Sequence, residues 1–235
     1  RDSEKEVLNY NEELIRLNKI VKRKSIGFDL SLILGIQKTI TKGLIPESRC
    51  GKIRKEPVFV NDPNIKKTVY WPPDHQDVAA LLKELFIFVE QNEKVLDPLI
   101  IAGIFHKQFV IIHPFMDGNG RTVRLATKVL LAAVGLNIFN LFSFENYYNQ
   151  NVSDYFKYVG VYGNYYDIKE QVDFTSWLEY FTDGMIDELL RVSKNLQISS
   201  ITPQNILQSH HNSIIEYIKK NGFITDKIYS TLTKR

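Results

Sequence analysis

The chain has 235 residues, 44% of them apolar, and its Lys and Arg exceed its Asp and Glu by only three. That much apolar material excludes a disordered chain and is enough for one large domain, or a domain with an appendage. So mild a charge excess does not by itself specify a nucleic-acid or membrane partner. A single cysteine, Cys50, excludes an intramolecular disulfide framework and fits a reducing, cytoplasmic setting. No apolar run approaches a bilayer span and no signal-peptide pattern opens the chain, so a soluble protein with no membrane partner is expected. Because the chain opens on Arg1, an upstream segment is expected outside it.

From Ser3 to about Lys24, the apolar residues Val7, Leu8, Leu14, Ile15, Leu17, Ile20 and Val21 recur at helical spacing. Ser3 and Glu6 form a capping-box pattern. The cluster Lys19, Lys22, Arg23 and Lys24 suits a solvated C-terminal turn, where cations meet the negative end of the helix dipole. A second helix is predicted over Phe28 to Lys42. Between Gly43 and Pro73, turn-forming residues interrupt two β-prone runs, Pro57 to Val60 and Lys67 to Trp71, which predict a hairpin with Asn61 to Lys66 as its turn. Helical periodicity then returns over Val78 to Asn92, Pro98 to Phe109, Arg121 to Val134, Asn149 to Val159 and Asp173 to Leu196. The fold class is mainly α, with a small β-hairpin. Past Ser199, Ser200 and Pro203 a linker leads to Ile214, Ile215, Tyr217 and Ile218, then Asn221 to Thr225 and on to Leu232. The expected domains are therefore 1–198 and a helical appendage, 199–235, which reads as the truncated start of a winged helix.

The chemistry concentrates in His113-Pro114-Phe115-Met116-Asp117-Gly118-Asn119-Gly120-Arg121-Thr122-Val123-Arg124. Gly118-Asn119-Gly120 precedes a strongly helical stretch. Glycines there permit positive φ, and the free amides at the helix start converge on an anion, phosphate above all. Arg121 and Arg124, at i and i+3, share one face of that helix near its positive end. An oligophosphate would satisfy both, although either can pair with a carboxylate when no anion is bound. Asp117 suits a helix cap or a hard cation such as Mg²⁺ held beside phosphate oxygens. His113 ends the preceding helix, since Pro114 disfavours its continuation. Four residues before Asp117, it is a general-base candidate. Phe115 is expected to point inward and anchor the loop.

This run resembles the signature of the Fic family, His-Pro-Phe-x-Asp-Gly-Asn-Gly-Arg-x-x-Arg, with every fixed position present. A weaker resemblance extends from about Asn9 to Phe181. It takes in Arg49-Cys50-Gly51-Lys52-Ile53-Arg54, the hairpin, Pro72-Pro73, Pro98-Leu99-Ile100, Phe109-x-x-Ile112-His113 and Asn151-x-x-x-Tyr155. The resemblance implies a helical Fic core that transfers AMP from ATP to a Ser, Thr or Tyr hydroxyl of a target protein, or of the chain itself, with release of pyrophosphate. In that scheme His113 is the base and Asp117 holds Mg²⁺. Gly118, Gly120 and the Asn119 side chain meet phosphate oxygens, Arg121 and Arg124 orient the β- and γ-phosphates, and Asn151 and Tyr155 line the nucleoside pocket. The hairpin would act as a flap that docks the target along an exposed strand edge, through Val58, Phe59, Val60, Val69 and Tyr70.

Many relatives carry an inhibitory helix, Ser/Thr-x-x-x-Glu-Gly/Asn, whose glutamate pairs with the second arginine. No such run occurs in these residues. The opening helix resembles the one that follows this element in relatives inhibited from the N-terminal side. The element is therefore expected upstream, and this fragment is expected to be deregulated. Alternatives of other classes are kinase-like transfer of the γ-phosphate, as in the Doc relatives, where the last glycine is replaced but Gly120 is retained here; transfer of UMP; and removal of AMP. A further alternative is a nucleotide-sensing adaptor that binds nucleic acid, which requires the appendage to complete a winged helix. Homo-oligomerisation is left open by the sequence.

Overall fold

The helix α1 (Asp2–Ile20) buries a row that hydrophobicity alone does not mark. Asn9, Glu13 and Leu17, each one turn from the next, face the core, whereas Val7, Leu8 and Ile15 are exposed. The buried amide of Asn9 donates to the carbonyls of Ile40 (3.3 Å) and Lys42 (2.9 Å), and Glu13 accepts from Arg16 Nε at 2.8 Å. Ser3 lies within the helix, and Glu6 reaches Arg121 rather than closing a capping box. The computed structural model describes residues 2–23, 26–62, 66–141, 143–150, 152–200, 209–221, 225 and 228–229.

Asp29 caps α2 (Leu30–Thr41) by accepting from the Leu32 amide at 2.8 Å. A 3₁₀ turn at Glu47–Arg49 leads to β1 (Val60–Asp62) and β2 (Lys67–Trp71), which pair antiparallel with a register irregularity between Val60 and Asn61. The first strand is shorter and later than the predicted Pro57 to Val60, since Pro57 has no N–H to contribute to a ladder. Part of the predicted turn, residues 63–65, lies outside the described residues. The sequence gives no sign of the third strand, β3 (Gly163–Asn164), which pairs parallel with β2. With β2 in the centre, β1 carries an outer edge.

The helices that follow are α3 (Val78–Asn92), α4 (Pro98–Ile112), α5 (Asn119–Ala133), α6 (Phe144–Gln150), α7 (Val152–Val159), α8 (Tyr165–Ile168) and α9 (Thr175–Ser200), the last beginning in the first compact unit and ending in the second. The fold is thus mainly α with a small sheet, as the periodicity implies. The predicted helix over Asn149 to Val159 is instead two, α6 and α7, with Asn151 between them outside the described residues. Asp97 caps α4 by accepting from the Leu99 amide at 2.8 Å, and Pro98 takes the first helical position, where a missing N–H costs nothing. α4 is apolar around most of its circumference and is enclosed by α3, α5 and α9. Trp177 Nε1 of α9 donates to the Gly103 carbonyl at 2.8 Å. A Cβ at Gly103 would come within 2.6 Å of Leu178 Cδ2, so a larger residue there would require Leu178 to shift.

The chain divides into two compact units, residues 1–189 and 190–235. Within the second, α10 (Ser209–Asn221) is the described helix of the appendage. Residues 222–224, 226–227 and 230–235, on which a winged-helix reading depends, lie outside the described residues. No helix of the described residues is long and apolar enough to cross a membrane.

Candidate active site

The site is the turn joining α4 to α5. His113 ends α4 in the left-handed region, with φ 51° and ψ 60°, and its amide still donates to the Phe109 carbonyl at 3.0 Å. Few non-glycine residues adopt that conformation, and holding one there requires support from its surroundings. Phe115 is fully buried and packs on Phe109, with ring centroids 6.1 Å apart, as expected of an anchor. Asn119 closes the turn: its Oδ1 accepts from the Phe115 amide at 2.9 Å and its Nδ2 donates to the Phe115 carbonyl at 2.8 Å. Gly118 has φ 81°, and a Cβ there would lie 2.9 Å from Thr41 Cγ2, so glycine is required on both counts.

Two further residues, to which sequence reasoning assigned no role, brace the turn. Arg54 is buried and has no carboxylate among its hydrogen-bond acceptors. Its Nε donates to the His113 carbonyl at 2.8 Å, Nη1 to that of Glu56 at 3.2 Å, and Nη2 to those of Pro73 and Ile112. Its own amide donates to the Pro114 carbonyl at 2.9 Å. These acceptors include the last carbonyls of α4, which have no partner within the helix. Gln37, also buried, donates from Nε2 to the Asp117 carbonyl at 3.2 Å and accepts from the Gly51 amide. A buried Arg or Gln has no distinguishing pattern in a single sequence, so neither role was legible.

His113 is neutral. Burial pushes its imidazole down to about 4, and the Arg54 guanidinium adds to the effect, against the opposing pull of the Val110 carbonyl and Asp117. Nδ1 lies 3.3 Å from the Val110 carbonyl, which can only accept, so Nδ1 carries the proton and Nε2 is the basic nitrogen.

Asp117 Oδ1 accepts from the Gly118 amide at 2.6 Å, and Oδ2 from Arg121 Nη2 at 3.1 Å. No side chain caps α5, so the amides of its first turn face outward at the positive end of the helix dipole. Gly120 has an ordinary helical φ, and a Cβ there would approach only Arg124 Nη1, at 3.5 Å. Its glycine is therefore not needed for conformation but leaves space beside Arg124. Arg121 Nη1 pairs with Glu6 of α1 at 2.9 Å, and Arg124 Nε donates to Glu145 of α6 at 3.3 Å. Glu145 also accepts from the hydroxyls of Tyr10 and Ser143. Both arginines thus have carboxylate partners.

The structure brings His113, Asp117, Gly118, Asn119, Gly120, Arg121 and Arg124 together and reassigns three other expectations. The Asn119 amide is wholly engaged with the Phe115 backbone, so its side chain shapes the turn, and its main-chain N–H is the group left for an anion. Tyr155 is buried, with its hydroxyl 3.1 Å from His106 Nε2, in the interior behind Arg124. Tyr70 is only 2% exposed and donates to the Ile111 carbonyl at 2.9 Å, so it anchors the sheet to α4 instead of presenting a docking surface. Of the other flap residues, Phe59 is 57% exposed, and Val58, Val60 and Val69 are partly buried. Asn151 lies outside the described residues.

Residues 27–131 match the model of the Fic/DOC family. The chain is 30% identical over 131 residues to the protein adenylyltransferase Fic of Nematostella vectensis, covering 55% of this chain and 29% of that protein. It is 28% identical over 135 residues to the protein of the same name from Aedes aegypti, covering 57% and 26%. The chain therefore spans less than a third of the length of these curated relatives. Among solved structures, a Fic family protein from Desulfovibrio desulfuricans G20 superposes with a TM-score of 0.68 at 20% identity, over 97% of this chain and 62% of that one. At that identity the likeness speaks for the fold alone. The intact turn and the helices that hold it lie within the matched stretch, so residues 27–131 carry a Fic/DOC-family domain.

Proposed function

We propose that this domain transfers AMP from ATP to a hydroxyl-bearing side chain of a target protein, itself included. The observation that carries the reading is a neutral imidazole with a free Nε2, set beside an uncapped helix start that displays two arginines one turn apart. The adenylyltransferase names of the relatives, at 28–30% identity, support it.

In this reading Nε2 of His113 takes the proton of the target hydroxyl, whose oxygen attacks the α-phosphorus as the bond to pyrophosphate breaks. The outward amides of the first turn of α5 hold phosphate oxygens at fixed distance and need no reorganisation as charge develops. Arg121 and Arg124 leave Glu6 and Glu145 to take the β- and γ-phosphates. Among the described residues no group of three His, Cys, Asp or Glu is placed to hold a metal by itself. The lone carboxylate of Asp117 fits a Mg²⁺ ion that arrives with the phosphates, because Mg²⁺ commonly keeps water and takes only one or two carboxylates. When bound, that ion supplies neutralising charge between the α- and β-phosphates. The outer edge of β1, next to the exposed Phe59, is the proposed docking line for an extended target segment.

Mass spectrometry of the protein and of lysate proteins after incubation with ATP and Mg²⁺ tests the reading. An adduct of one AMP on a hydroxyl residue supports it. A phosphate adduct points to the kinase-like reaction instead, and UTP-dependent labelling to transfer of UMP. Nucleotide binding without any adduct in a lysate that contains known AMP acceptors points to a sensing module.

A further inference from the structure

Outside the turn, the least expected polar group is His106. It lies in the middle of α4, is fully buried, and is enclosed by the rings of Phe144, Tyr148, Trp177 and Phe181. A ring used only for packing would not need two polar partners, but His106 has both. Nδ1 lies 3.0 Å from Thr127 Oγ1 of α5, and Nε2 lies 3.1 Å from the Tyr155 hydroxyl of α7.

The partners fix the direction of every proton in this set. Thr127 Oγ1 donates to the Val123 carbonyl at 2.7 Å, which uses its only proton. It can then only accept from His106, so Nδ1 bears the ring proton. In a neutral ring Nε2 is then bare, and the Tyr155 hydroxyl must donate to it. The phenolic oxygen is left with lone pairs alone, and Arg124, which has donors alone, is the cation that acts on it. The hydrogen bonds therefore run without conflict from Tyr155 through His106 and Thr127 to the carbonyl of Val123, the residue before Arg124 in the same helix, and leave the phenolic lone pairs to the Arg124 cation. Burial holds the ring neutral, lowering it to about 3. A proton on Nε2 would reverse the Tyr155 hydroxyl and turn its hydrogen toward the cation.

We infer that His106 is a positioning residue that makes the Tyr155 hydroxyl a pure acceptor for Arg124 and so holds that guanidinium at the phosphate end of the site. The inference rests on the proposed role of Arg124 in reading the distal phosphates. It assigns Tyr155 a role behind the arginine, in place of a wall of the nucleoside pocket.

The test combines calorimetric titration with ATP and with AMP, for wild type, Tyr155→Phe, Arg124→Ala and the double variant, with nitrogen NMR of the His106 ring in the wild type. Phenylalanine keeps the ring packing and removes only the hydroxyl. The expected result is ATP binding about tenfold weaker in Tyr155→Phe, the worth of one hydrogen bond to a charged group. AMP binding is unchanged, the double variant is no weaker than Arg124→Ala alone, and NMR finds the proton on Nδ1. Equal weakening for ATP and AMP, additive effects in the double variant, or no effect of Tyr155→Phe would overturn the inference. A proton on Nε2 overturns it without touching the nucleotide reading, whereas a wild type that binds no ATP removes the nucleotide reading and the inference with it.

Discussion

Arg124 Nε donates to Glu145 Oε1 at 3.3 Å, so the second arginine of the turn is already engaged by a carboxylate of the same chain. Glu145 in turn accepts from Tyr10 of α1 and faces Lys128 as well. A polyphosphate that uses Arg124 must compete with this carboxylate. Replacing Glu145 with Gln is therefore expected to tighten ATP binding roughly three- to tenfold, the range of a part-buried ion pair released from competition. Titration of the variant with ATP checks it. Weaker binding would show that Glu145 aims Arg124 and does not compete for it.

The His113→Ala variant should lose activity by roughly 10²- to 10⁴-fold, the usual worth of a placed general base, while its ATP affinity stays close to that of wild type. Parallel kinetics and titration check the two halves separately. An equal loss of affinity would make His113 a binding group.

The acid limb of kcat/KM should lie near 4, well below the usual histidine value of about 6.5, because the basic imidazole is the active form and burial delays its protonation. Arg54 and Asp117 are the charged groups that face this ring, and they act in opposite directions. Removing the cation in Arg54→Met should move the limb upward, though only part of the way to 6.5, since burial is the larger cause. The same variant leaves the His113, Ile112 and Pro73 carbonyls without their donor and should lower the melting temperature. A pH–rate profile that is identical in Arg54→Met would sever the proposed link between Arg54 and the base.

Stability should fall in acid ahead of the carboxylates. His106 is lowered to about 3 and His113 to about 4, whereas both return to about 6.5 when unfolded. Their folded values are depressed, so the unfolded chain binds more protons as pH drops below 6.5. Unfolding free energy is therefore full above that value and is lost progressively down to the folded values. Urea titrations between pH 7 and 4 should show this slope, and His113→Gln should flatten part of it.

Much of this was legible beforehand where a residue acts through its own backbone or its spacing. Gly118, the stop at Pro114, the i, i+3 arginines and the helix of α3 all follow from local rules, and the structure repeats them. What was not legible depends on distant partners. The buried face of α1 carries Asn9 and Glu13, whose burial is offset by a carbonyl pair and by Arg16, so the apolar residues marked only part of it: Leu17 and Val21 are buried, whereas Val7, Leu8 and Ile15 are exposed. β3 has two residues and no strand pattern of its own, and exists because β2 offers it an edge. Tyr70 and Tyr155 look like surface aromatics in a list of letters. Their hydroxyls turn inward because Ile111 and His106 supply partners from α4.

The most direct test of the central claim is incubation with Mg²⁺ and ATP labelled separately at the α- and γ-phosphates, following label on the protein and on lysate proteins, with His113→Ala as control. Protein-bound α-label that disappears in the His113→Ala variant is the expected result. Bound γ-label without α-label, or α-label that persists in His113→Ala, would contradict the account.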